Sequence, residues 1–323
     1  MSNLDKKYPL ATMLPADFPL LLKEINDPPK KLYIRGTLPP LKDAEGFETK
    51  FLCVVGSRAF TSYGEGACRK LILGLRGYNI CIVSGLALGI DGIAHRAALE
   101  AGLLTIAIPG SGLDPRVLYP RANVHLAEKI LEGGGAIISE EEPMSHATPY
   151  SFPKRNRIMA GMSHAVLVIE AILKSGTLIT SKYATDYNRD VFTVPGSIFS
   201  RKSDGPHMLI RLGATPVRTS EDILEGLGFE PKNEDEEDGK NNSDGGGRNS
   251  ADRKEILRQK TLALCTSDER AVIETLTEPM TRDALIRELE IRLDKPISEI
   301  NALLVMMEIK ELVVEKMGEI WVI

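Results

Sequence analysis

From residue 51 to about residue 228 the chain repeats one pattern: a short run that is apolar at every position, then a longer stretch with helical spacing. The apolar runs fall at 51–55, 80–83, 104–108, 136–138, 165–169 and 191–194, with a weaker one at 215–217. The spacing between them predicts helices at 64–76, 92–101, 121–131, 155–162 and 178–187. A strand with one wet face alternates; a strand apolar throughout is covered on both faces. Such strands joined by helices call for a mostly parallel sheet between two helical layers. Residues 51–230 therefore read as an α/β domain, an extended, doubly wound sheet of the Rossmann type.

Each predicted strand ends in glycine or polar residues: Gly56-Ser57-Arg58, Ser84-Gly85, Pro109-Gly110, Ser139-Glu140, Glu170 and Pro195-Gly196-Ser197. Ligands of open α/β sheets bind at that edge. Gly56-Ser57-Arg58 leads into a helix, so backbone N–H groups and a guanidinium face one spot, as a phosphate requires. An ordinary βα turn with an exposed Arg would look the same. Neither GxGxxG nor GxxxxGK[ST] is present, which disfavours a dinucleotide cofactor and a P-loop. In the second loop the small residues Ser84 and Gly85 suit close approach by a ligand, whereas Asp91 reads as a helix cap. Ser175-Gly176-Thr177 opens another helix, as a phosphate site or as plain N-capping. Arg121 starts a helix after Tyr119-Pro120, where an exposed surface Arg is the plainer reading.

The richest segment is Ser151-Phe152-Pro153-Lys154-Arg155-Asn156-Arg157, three cations behind a ring and a proline. Single-stranded nucleic acid asks for that combination: an aromatic to stack a base and cations for the phosphates. Phe152, Lys154 and Arg155 are the expected contacts. Asn156 and Arg157 are expected chiefly to hold the wall, Arg157 through an ion pair with Glu170 or another edge carboxylate.

Net charge is -5 over 323 residues, unevenly placed. Residues 51–230 hold 18 basic and 17 acidic residues, so a polyanion site there must be a local cluster. Residues 231–253 are acidic and nearly devoid of apolar side chains, and read as a flexible linker. Residues 254–323 show three helical patterns and two alternating segments joined by Met317-Gly318, a small C-terminal winged-helix domain. With 10 basic against 14 acidic residues, and no Lys or Arg in 297–309, it is ill suited to a DNA groove. Residues 1–50, Pro-rich and weakly periodic, read as a short extension packed on the sheet. Cys53, Cys68, Cys81 and Cys265 lack CxxC spacing, and the five histidines lack metal-ligand spacing. No Gly-x-Ser-x-Gly elbow is present, and Glu140-Glu141-Glu142 reads as a solvated acidic loop. No signal peptide or spanning run is evident, so a cytoplasmic protein is expected.

Taken in order, these motifs resemble the DNA-processing protein A (DprA, or Smf) family. The set includes Gly56-Ser57-Arg58, Ser84-Gly85 with Gly89-Ile90-Asp91, Tyr119-Pro120, Phe152-Pro153 with Arg155-Asn156-Arg157, Ser175-Gly176-Thr177 and Pro195-Gly196-Ser197. The resemblance implies a mediator of natural transformation, not an enzyme, that protects incoming single-stranded DNA and loads the RecA recombinase on it. It also implies a homodimer, no cofactor, and DNA contacts by Arg58, Arg121 and the segment from Phe152 to Arg157. The 50 residues before the first strand are expected to be too short for the family's N-terminal helical domain. The competing reading is a nucleotide-cleaving Rossmann hydrolase of phosphoribohydrolase type, with Glu170 beside Ser175-Gly176-Thr177, although its Pro-Gly-Gly-x-Gly-Thr loop is missing. A third is a nucleotide-sensing adaptor.

Overall fold

The structure is a computed structural model that describes residues 7–42, 46–229, 267–276, 280–310, 312–316 and 319–322. The linker 231–253, Cys265 and the Met317-Gly318 turn lie outside the described residues. The chain divides into two compact units, Met1–Glu234 and Asp235–Ile323.

The first unit is built on a nine-stranded sheet in the order β1-β2-β6-β5-β4-β3-β7-β8-β9. Strands β3 (Lys50–Val55), β4 (Ile80–Ser84), β5 (Thr105–Ala107), β6 (Ala136–Ser139), β7 (Ala165–Val168), β8 (Asp190–Thr193) and β9 (Thr215–Pro216) run parallel. They match the seven apolar runs within a residue or two. The residues before Phe51 do more than lie on the sheet. β2 (Leu32–Gly36) pairs antiparallel with β6, and β1 (Ala11–Met13) pairs with β2. They form its antiparallel edge.

Period-two geometry sorts the apolar runs onto two faces. On β3, Phe51, Cys53 and Val55 join one core and Leu52 and Val54 the other. Helices α2 (Ser62–Leu73) and α3 (Ile90–Ala101) cover the second face through Cys68, Leu71, Ile72, Ile90 and Ile93. Helices α5 (Ser151–Gly161) and α6 (Thr177–Asp186) lie on the first, with Ile158, Met159 and Ala184. Helix α1 (Leu20–Lys23) sits against α5, where a Cβ on Gly161 would come 2.9 Å from Ile25. The first unit is completed by α4 (Val124–Glu132), α7 (Asp204–Arg211) and α8 (Ser220–Gly226). Cys53, Cys68 and Cys81 are buried free thiols, and burial pushes their ionisation upward. They behave as core hydrophobes.

His95 shows how closely the interior is fitted. Its Nδ1 lies 2.7 Å from Thr105 Oγ1, whose own proton goes to Ile82 O. Nδ1 is therefore the donor and the ring is neutral, and burial lowers its pKa to about 3. The unfolded chain takes up this proton near pH 6.5, the folded protein only near 3, so stability is full above about 6.5 and falls with acidification. Unfolding titrations should show a loss of up to about 1.4 kcal/mol per pH unit from this group, reduced in His95→Gln. An identical acid slope in wild type and variant would refute it.

The second unit has helices α9 (Ser267–Thr275), α10 (Arg282–Leu293) and α11 (Ile297–Ile309). Its antiparallel sheet is ordered β10-β12-β11, from Met280–Thr281, Glu319–Val322 and Val313–Lys316. Leu285, Leu289, Ile300, Leu304 and Ile320 form its core. The element order is α9, β10, α10, α11, then the antiparallel pair of β11 and β12.

Candidate functional site

The chain steps from β3 outward through β4, β5 and β6, then returns to lay β7, β8 and β9 on the other side of β3. The loops leaving β3 and β7 thus diverge at a topological switch point, where open α/β sheets hold their ligands. A crevice of about 610 Å³ lies there, lined by Gly56, Ser57 and Arg58 from the β3 loop and Ser175, Gly176 and Thr177 from the β7 loop. Phe152, Arg155 and Asn156 of α5 form a further wall, and Lys202 from the β8 loop joins them.

Arg58 is exposed, and its guanidinium carbon lies 5.0 Å from the centre of the Phe152 ring. No carboxylate pairs with it among the described residues. Phe152 is held from below. Its ring lies over Gly110, where a Cβ would come 2.7 Å from it, and Tyr119 is tilted against it at 6.2 Å between centroids. The preceding Ser151 donates to Gly110 O and so fixes the start of α5. A half-buried ring with a cation over it presents a rigid, amphipathic face.

The β3 and β7 loops are tied together. Thr177 Oγ1 donates to Gly56 O at 3.2 Å, and Ser175 Oγ both donates to Thr177 Oγ1 at 2.9 Å and accepts from Thr177 N at 3.1 Å. Asn156 Nδ2 donates to Gly176 O at 3.3 Å, linking α5 to the same loop. Gly89 stands where the β4 loop meets the β3 turn, with φ of 81°, and Ile90 N donates to Ser57 O at 3.2 Å.

Several sequence expectations are revised. Ser84 is buried and donates to Val54 O at 2.6 Å, so it serves the sheet and not a ligand. Gly85 is buried, and a Cβ there would collide with the Arg155 guanidinium; the close approach it permits is to protein. Arg155 itself is 7% exposed, and its Nη1 donates to Gly85 O and Ile108 O while Nε donates to Asn156 Oδ1 at 3.1 Å. It lines the crevice, but its guanidinium is spent on these protein acceptors. Asp91 is not the cap of α3. That position belongs to Gly89, and the Asp91 carboxylate reaches back to accept from Gly85 N at 3.1 Å.

Lys154 is exposed but engaged by Glu141 at 3.0 Å and Glu140 at 3.4 Å. The ion pair expected of Arg157 forms with the edge carboxylate Glu140 at 2.7 Å, not with Glu170, and Arg157 also reaches Asp27 at 3.5 Å. Glu142 meets Lys31 at 2.8 Å. The three glutamates at 140–142 are thus each neutralised by a named cation. Arg121 is exposed, donates to Pro115 O at 2.6 Å, and is not among the residues lining the crevice. Glu170 is buried and committed to Thr61, accepting from its N at 3.0 Å and from its hydroxyl. Sequence reasoning named Ser151 and Gly110 without giving either a role, and it did not single out Lys202. Ser151 had a signal in its place before Phe-Pro; Lys202 had none, because only the fold brings its loop to β3.

Fold and crevice together define a Rossmann-type protein with a cationic, aromatic-walled site at its switch point. The chain belongs to the DNA recombination-mediator protein A family, whose sequence pattern matches residues 9–228. It is 43% identical over 220 residues to Protein Smf of Escherichia coli K12, covering 67% of this chain and 57% of that protein. It is 42% identical over 224 residues to DNA processing protein DprA of Streptococcus pneumoniae R6, covering 69% and 76%. The chain thus spans little more than half of the first relative's length.

Among solved structures, DNA processing protein A of S. pneumoniae aligns with a TM-score of 0.60 at 40% identity, over 69% of this chain and 75% of that one. The Helicobacter pylori DNA processing protein A, described for its single-stranded DNA binding mode, aligns with a TM-score of 0.58 at 29% identity, over 68% and 96%. These likenesses bear out the fold read from the sequence. Among the described residues no helix is long and apolar enough to cross a membrane.

Proposed function

We infer that this protein binds single-stranded DNA in the Arg58–Phe152 crevice and acts, without catalysis, as a mediator that protects incoming strands in natural transformation. The observation that carries this reading is Arg58: exposed, unpaired by any carboxylate among the described residues, and poised over the Phe152 ring at the switch point. A strand threaded there has a guanidinium for a phosphate, a ring for a base, and the backbone N–H groups of the β3 and β7 loops for further anionic oxygens. Gly56, Ser57, Ser175, Gly176, Thr177 and Asn156 shape that path. Arg121 lies outside its centre and adds long-range attraction, whereas Lys154 is largely offset by Glu140 and Glu141.

Membership in the recombination-mediator family and the single-strand binding of the H. pylori protein support the reading. So does the commitment of Glu170 to Thr61, which leaves a nucleotide hydrolase without its general base. Delivery of the strand to RecA, homodimerisation and action in the cytoplasm complete the proposal. The test is titration of fluorescent oligo-dT and of duplex of equal length over a range of salt. Single strands should bind much more tightly, with log K falling linearly in log salt. Equal affinity for duplex would reject the assignment. RecA filament formation on strands coated with a single-strand binding protein, followed with and without this protein, tests the delivery step.

A further inference from the structure

Next to the crevice, the loop after β8 presents two large apolar side chains to solvent. Ile198 is 77% exposed and Phe199 93%. Neither is loosely held. Ser200 N donates to Ser197 O at 3.0 Å and Phe199 N to Ser197 Oγ at 3.2 Å, so the two residues occupy the apex of a tight turn. Its base is anchored on both sides. His207 Nε2 lies 3.0 Å from Gly196 O, Ala171 N donates to Lys202 O at 2.8 Å, and Gly205 N donates to Ala171 O at 2.8 Å. A rigid turn that holds a phenylalanine out in water marks a contact surface, since a lone apolar tip gains nothing from solvent.

The charges beside it say what the contact is. Arg201 and Lys202 follow the turn directly, and Lys174 stands on the β7 loop to which the turn is bonded. None of these three pairs with a carboxylate among the described residues. Glu170, which lines the groove below the turn, is buried and bound to Thr61, and Asp204, two residues after Lys202, stands in the first turn of α7. A ring with unpaired cations around it repeats the composition of the Arg58–Phe152 wall. Lys202 belongs to both places, since it also lines the crevice. Beside the turn lies a groove of about 510 Å³ lined by Tyr63, Ser197, Ser200 and Ser203, with Thr61 and its partner Glu170. Strands β3, β7 and β8 are successive neighbours. Each step is about 4.8 Å, so the turn stands within a few nucleotides of the crevice.

We propose that the Ser197–Ser200 turn is a second stacking platform for single-stranded DNA: Phe199 takes a base, and Arg201, Lys202 and Lys174 take the phosphates of a strand leaving the Arg58–Phe152 crevice. This rests on the proposed crevice. It adds a direction to the path, from β3 across β7 to β8, and a longer occupied site. Because the turn is held by its own backbone bonds, little ordering is needed on binding.

The test uses the full chain with oligo-dT of about 4 and about 20 nucleotides, the first able to fill the crevice alone and the second able to reach the turn. Phe199→Ala should weaken the long oligomer about tenfold and leave the short one unchanged. Phe199→Trp should keep the wild-type affinity, and its added fluorescence should be quenched by the long oligomer only. Arg58→Ala, by contrast, should weaken both. If Arg58→Ala weakens both and Phe199→Ala neither, the turn is off the path and the platform is refuted while the crevice stands. If Phe199→Ala leaves both affinities intact but lowers the sedimenting mass, the turn is an interface between copies and the proposal falls. If Arg58→Ala weakens neither oligomer and Phe199→Ala still weakens the long one, the platform survives and the crevice reading fails. Phe199 is almost wholly exposed, so its replacement does not endanger the fold.

Discussion

Arg58→Ala is expected to weaken oligo-dT binding by roughly 10- to 100-fold, with thermal unfolding unchanged. The size follows from what is lost. A hydrogen bond to a charged group contributes about 1.5–3 kcal/mol, and each 1.4 kcal/mol is tenfold in affinity. Arg58 is exposed and unpaired, so its removal breaks no ion pair and opens no cavity. Its guanidinium lies over the Phe152 ring. The loss should therefore appear in binding and not in stability. The salt dependence should become shallower by about 0.7 for each phosphate contact removed. Lys154→Ala is a control of the same charge change. Glu140 and Glu141 already offset that ammonium, so its effect should be several-fold smaller. An Arg58→Ala protein with wild-type affinity and wild-type salt slope would show that the crevice does not hold the strand.

The frame of the site was legible in the sequence for a simple reason. Strands buried on both faces leave an uninterrupted apolar signature, and Cys53, Val54, Ile82 and Val83 could belong to nothing else. The polar strand ends follow from the same alternation, which puts Arg58 and Ser175-Gly176-Thr177 on one edge. Direction within that edge was not legible. Lys154, Arg155 and Arg157 are near neighbours in sequence, but 100° of helical rotation per residue separates Arg155 from the other two. Lys154 and Arg157, three apart, both meet Glu140, Arg157 reaching Asp27 as well, while Arg155 turns to the carbonyls of Gly85 and Ile108. Nor could composition show that Gly85 is small to admit Arg155 and not a ligand. The antiparallel edge made by the first 36 residues was hidden too, since an edge strand such as Leu32–Gly36 needs only a partner in β6 and carries no local signature of it. Lys202 and the Phe199 turn enter the site through chain topology alone.

Arg155→Ala should have the opposite profile to Arg58→Ala: a large loss of stability first, and loss of binding as its consequence. The guanidinium is buried and donates to the carbonyls of Gly85 and Ile108, at the ends of β4 and β5, and to Asn156, which in turn holds Gly176. One side chain thus joins three of the loops that frame the crevice. Burial lowers the Arg155 pKa, and burial raises that of Asp91 nearby, while each charge favours the ionised form of the other. Deleting the cation leaves two carbonyls without a donor and a buried carboxylate without its counter-charge. Removing one partner of a buried ionic arrangement costs about 3–5 kcal/mol. For a unit of this size each kcal/mol lowers Tm by about 2–4 °C, so a fall of roughly 6–20 °C is expected. Arg155→Lys should recover little, because an ammonium cannot span the Gly85, Ile108 and Asn156 acceptors with the planar fork of an Arg. Adding Asp91→Asn to Arg155→Met should cost less than the sum of the two single changes, since the second no longer strands a charge. Calorimetry of the four proteins measures this coupling directly. An Arg155→Ala protein that unfolds at the wild-type temperature would overturn the positioning role and return this residue to the list of direct DNA contacts.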